Sequence, residues 1–73
     1  MNKIEMERIK DVRGNSWEDT TEYLLTCEDN PSREDYEDYL NKEWKSFPYN
    51  WSHLNIADDL KSATVWIAFD HCN

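Results

Sequence analysis

Cys27, His53, His71 and Cys72 are the soft metal ligands of this 73-residue chain. None of them stands at the C-x-x-C or H-x-x-x-H spacing by which one turn presents two ligands to a tetrahedral zinc. His71 and Cys72 are adjacent, so in an extended chain they point to opposite sides. A thiol and an imidazole can form a nucleophilic pair. Acyl transfer also requires an oxyanion hole and a pocket, for which so short a chain has little room. The acid pairs Glu34–Asp38 and Asp58–Asp59 have the residue types for acid–base work or calcium, yet the glycine-bearing loop of an EF-hand is absent. Gly14 is the lone glycine, and one glycine cannot build a phosphate-cradling loop. The expectation is a non-catalytic protein with no metal and no cofactor. A small metal- or Cys-dependent enzyme is the alternative that these residues leave open.

The charge distribution says more. Sixteen acidic against eight basic residues give a net charge of −8, which argues against unaided binding to nucleic acid or an anionic membrane. A protein with a basic surface is the natural complement. Lys3, Arg8, Lys10 and Arg13 nearly balance the acids of the first thirteen residues, whereas residues 14–47 hold most of the negative charge. The segment MNKIEMERIK carries charges where a secretory signal would be apolar, and no run has membrane-spanning length. Cys27 and Cys72 are accordingly read as reduced thiols in a cytoplasm. Four tryptophans are many for this length. Most are expected in the core; Trp17 and Trp51, beside loops, are the candidates for exposed anchors on a partner.

The elements that must position these groups centre on Ser32 to Phe47. At 3.6 residues per turn this stretch puts Tyr36, Leu40, Trp44 and Phe47 on one face and Glu34, Glu37, Asp38 and Asn41 on the other. Ser32 with Asp35 makes a short-armed capping box, and Pro48 is the expected stop. Glu34 and Asp38 lie one turn apart, where like charges cost a few tenths of a kcal/mol. A carboxylate row on a rigid rod can be presented to a groove meant for nucleic-acid phosphates; it can equally be a solubilising face. Before this helix, Ile4, Met6, Ile9 and Val12 fit a bulged strand or a mobile arm, and Arg13 to Ser16 reads as a turn.

Ser16 to Cys27 fits two patterns. As a helix, Ser16 caps it, Trp17, Thr21, Leu24 and Leu25 share a face, and Glu18, Asp19 and Glu22 lie opposite. As a strand, Thr21, Tyr23, Leu25 and Cys27 alternate almost as well; the caps favour the helix. After Pro48 an aromatic loop to His53 and one helical turn at Ile56 to Leu60 are expected. Ala63 to Phe69 is then a β-branched, nearly continuous apolar strand, which should be covered on both faces. The fold expected is α+β, a single small domain over 1–73 with a central amphipathic helix packed on a small β-sheet. The partner-binding candidates are Trp17, Glu18, Asp19, Glu22, Glu34, Glu37, Asp38 and Trp51.

With SWEDTTEYLLTCEDNPSREDYEDYL as its acidic block, a lone glycine and many tryptophans, the chain resembles small acidic phage-encoded regulators that bind the host RNA polymerase. The resemblance covers length and composition. It implies a transcription inhibitor or regulator acting in the cytoplasm of a host cell. Phage proteins that disable nucleases, restriction or CRISPR systems share this look, as do antitoxins and nuclease-immunity proteins.

Overall fold

The computed structural model describes residues 3–14 and 18–70. Its element order is β1 (Glu5–Gly14), β2 (Glu18–Thr26), α1 (Arg33–Glu43), β3 (Tyr49–Ile56) and β4 (Ser62–Asp70). The four strands form one antiparallel sheet in the order β1-β2-β4-β3. The molecule is therefore mostly β, and the expected α+β domain organised by a central helix is overturned. The sheet is the framework, and the one helix runs for 11 residues beside it.

Three structural differences account for this. Residues 18–26 are a strand, not the helix that the cap at Ser16 favoured. Thr20, Thr21 and Tyr23 have side chains that fit a pleated surface, and pairing with β4 from Glu18↔Asp70 to Thr26↔Ser62 outweighs one local cap. The expected aromatic loop and helical turn are instead β3 and a tight turn. Trp51, Leu54 and Ile56 all pack against the core, but the register shifts between Ser52 and Asn55, and His53 adopts φ 55°. That irregularity turns an alternating pattern into spacings of three and two, which hides the strand from a period-2 reading. The helix itself stops at Glu43, short of Pro48, with Trp44 as its C-cap donating its N–H to Leu40.

Other expectations stand. Ser32 caps α1, and the reciprocal bonds with Asp35 form the capping box: the Asp35 N–H donates to Ser32 Oγ at 3.3 Å and the Ser32 N–H to Asp35 Oδ2 at 2.7 Å. β1 is the bulged strand rather than the arm, with register shifts between Arg8 and Lys10 and between Asp11 and Arg13. Because β1 and β3 are the edge strands, these irregularities also make the edges poor templates for another strand.

Along β4, Ala63, Val65 and Ile67 are buried and the alternate residues are half-buried. The buried set joins Leu25 of β2 and Tyr36 and Leu40 of α1 in one core cluster. The helix thus covers one face only, which corrects the expectation of a strand covered on both. On the other face the ring of His53 stacks on Trp66 at 3.9 Å between centroids. Tyr36 is fully buried and its hydroxyl donates to the Leu60 carbonyl at 2.7 Å, tying helix to turn. Burial raises the Tyr36 pKa above the usual tyrosine value, and Cys27 and Asp59 add to the rise.

Candidate protein-binding surface

The sheet alternation and the one-sided helix decide where each candidate lies. Glu34 and Asp38 are exposed on α1, on the side turned away from Tyr36 and Leu40. Glu37 is half-buried and accepts a bond from Arg33 Nε at 2.9 Å, so its charge is largely spent inside the helix. Glu18 and Glu22 belong to the face of the sheet that the helix does not cover. Their partners are Asp70 and Trp66 on β4, and Glu22 also stands opposite Lys10 on β1. Asp19 points the other way, in register with Phe69, and a Cβ added to Gly14 would lie 2.9 Å from its Oδ1.

The acidic candidates consequently form two groups rather than one, divided by the thickness of the sheet and helix. Trp51 is half-buried on the core side. Its Nε1 donates to Asn41 Oδ1 at 3.0 Å, and the Lys45 ammonium lies 5.7 Å from its ring centroid. These contacts make it a strut between β3 and α1. Trp17 lies outside the described residues, as do His71 and Cys72.

Three aromatic residues that the sequence pattern did not single out for binding are exposed together. Phe47 is 70% exposed, Phe69 37% and Tyr49 36%. Tyr49 and Phe69 are paired across β3 and β4 with ring centroids 5.4 Å apart, and Tyr49 meets the edge of Trp44 at 4.8 Å. A depression beside them is lined by Glu18, Lys45, Phe47, Pro48, Ala68 and Asp70. Phe47 had been placed on the buried face of an extended helix. The residue before proline disfavours helical backbone, and that rule, applied to Phe47-Pro48, was the available signal that the helical phase could not carry so far.

Among the described residues no group of three or more His, Cys, Asp or Glu side chains is arranged to hold a metal ion. Cys27 is buried and free, and its N–H donates to the Lys61 carbonyl. His53 Nδ1 lies 2.9 Å from Ser52 Oγ. No helix of the described residues is long and apolar enough to cross a membrane. No protein-family model matches the sequence, no curated protein matches it, and no solved structure matches its fold.

Proposed function

We propose that this chain is a non-catalytic protein that docks on a basic protein surface, and that bacterial RNA polymerase is the partner. The observation that carries the reading is the exposed pair Glu34 and Asp38 on a short, capped helix, in a chain of net charge −8. A capped helix holds two carboxylates at fixed spacing, so their field is presented without an ordering cost at encounter. Clustered charge of this sort raises association rates by roughly 10–1,000-fold at low salt. Charge steers but does not hold; the exposed ring of Phe47 and the partly exposed rings of Tyr49 and Phe69 supply the apolar area that a lasting complex requires.

The experiment is capture from bacterial lysate on the immobilised chain, followed by a binding measurement with purified polymerase. Retention of polymerase subunits, with submicromolar affinity for the pure enzyme, supports the reading. Retention of a nuclease in their place transfers it to an inhibitor of nucleic-acid defence, an antitoxin or an immunity protein. Absence of any nucleic-acid enzyme among the retained proteins sinks both.

A further inference from the structure

We infer that the face of the sheet that α1 leaves uncovered is the contact surface of a two-fold dimer of this chain. The inference goes beyond the docking reading and does not depend on it. On that face β4 carries Trp66 and β2 carries Leu24, both half-buried and both outside the core cluster on the helix side. The ring of His53 lies against Trp66, and among the described residues no further element packs over this side. A sheet face that bears an indole and a leucine is surface that a second layer would cover.

The charges of β1 name the occupant. Strict alternation from Glu5 would bring Ile9 and Asp11 to this face. The two register shifts change that. Glu5 pairs with Thr26, Glu7 with Leu24, Lys10 with Glu22 and Arg13 with Thr20, so the uncovered side shows Glu5, Glu7, Lys10 and Arg13 in that order. Asp11 turns instead to the helix side, where Arg8 Nη2 bonds its Oδ1 at 2.9 Å. Two acids followed by two bases are a row that complements itself when reversed. All four are exposed, and none makes an ion pair among the described residues.

A two-fold axis between two facing sheets, at right angles to the strands, lays β1 antiparallel over β1 of the second copy. With the axis midway between Glu7 and Lys10, Glu7 meets Lys10 and Glu5 meets Arg13, each contact occurring twice. The same operation sets Trp66 of each copy over Thr64 of the other, large against small. Glu22 comes over Leu24 and keeps Lys10 of its own sheet beside it. The helices lie outermost, so both sheets, packed about 10 Å apart, separate the acids of the two α1 helices by more than the ~8 Å reach of charge at physiological salt. Four strands about 4.8 Å apart and about 27 Å long give roughly 1,000 Å² over both copies, the lower limit for a specific interface.

The test uses the chain alone, so its outcome is independent of any polymerase. Sedimentation equilibrium from about 10 μM to about 1 mM should show monomer and dimer in exchange, as a small interface gives. Glu7→Lys and Lys10→Glu should each weaken the dimer about 10-fold, because each turns two attractive contacts into repulsive ones. Glu7→Lys should do so although it lowers the net negative charge. Both positions are exposed on an edge strand, and circular dichroism should show the fold unchanged. The two single variants, mixed, should form a heterodimer, and the double variant should dimerise like the wild type, since opposite charges then meet again at both contacts. A monomer throughout the concentration range overturns the inference. A dimer indifferent to both reversals does so too, as does a mixture of the two folded variants that stays monomeric.

Discussion

The two ends of the sheet are finished in opposite ways. At the end where β2 leaves and α1 begins, the chain closes on itself. The Cys27 N–H donates to Lys61 O, Tyr36 Oη to Leu60 O, the Ala57 N–H to Ser62 O and the Lys61 N–H to Asp59 Oδ1, and Ser32 and Asp35 cap the helix. The acids there include Asp35 and Asp59, whose oxygens satisfy backbone donors that a turn or helix start would leave open. At the other end the backbone is also tied, by Tyr49 N–H to Ser46 O and Asp70 N–H to Pro48 O. Phe47 nevertheless remains mostly in solvent and Tyr49 and Phe69 partly so, and the indole N–H of Trp44 is buried without a partner among the described residues. The difference teaches that negative charge by itself does not mark a docking surface in this chain. At the closed end Asp35 and Asp59 bond to backbone donors, whereas at the open end the fold leaves aromatic surface partly uncovered.

The comparison breaks most readily on stability. Leu40→Ala, which empties a fully buried position between helix and sheet, should cost about 2–5 kcal/mol in denaturant unfolding. Such a loss threatens the fold of so small a chain. Phe47→Ala, a larger side-chain loss at the open end, should leave stability within the ~0.5 kcal/mol typical of surface changes. Equal costs at the two positions would erase the distinction between the ends.

Tyr36→Phe sharpens the account of the closed end. Loss of the bond to Leu60 should cost about 1 kcal/mol near neutral pH. Because burial raises the folded-state pKa of Tyr36, the unfolded chain releases that proton first as pH climbs above the usual tyrosine value. The stability the neutral phenol contributes is thus complete below about pH 10 and is lost above it. The Phe variant should show a shallower decline of stability with pH in that alkaline range, measured by urea unfolding at stepped pH. Ser32→Ala, which removes one arm of the capping box that holds Glu34 and Asp38 at fixed spacing, should cost about 1 kcal/mol and slow association with the partner. Unchanged association in that variant would show that the cap does not serve the presentation of those carboxylates.

Much of the local structure was legible, and the architecture was not. The capping box at Ser32 and Asp35 and the apolar run of β4 are short-range signals, and the structure contains both. β2 could be read either way, because Ser16 to Cys27 carries a helix cap and a strand alternation together; pairing with β4 decided it, and pairing partners are not a local property. β3 was hidden by the irregularity at His53, which displaces Leu54 and Ile56 from the alternation that Trp51 begins. Losing two strands of four turned a sheet with one helix into a helix with a sheet. For the binding surface, acidity was legible and its partition between two sides was not, since that follows from which face the helix covers. Pro48 is legible as a stop, but the restriction it places on Phe47 ends the helical phase earlier than the proline itself.

The most direct test of the docking account compares rates with purified RNA polymerase across a salt series for the wild type, the Glu34→Lys, Asp38→Lys double variant and Phe47→Ala. The double reversal should slow association and flatten its dependence on salt while dissociation changes little. Phe47→Ala should leave association near wild type and speed dissociation about 5-fold. Dissociation rates indistinguishable between Phe47→Ala and the wild type would contradict the claim that the aromatic end holds the partner.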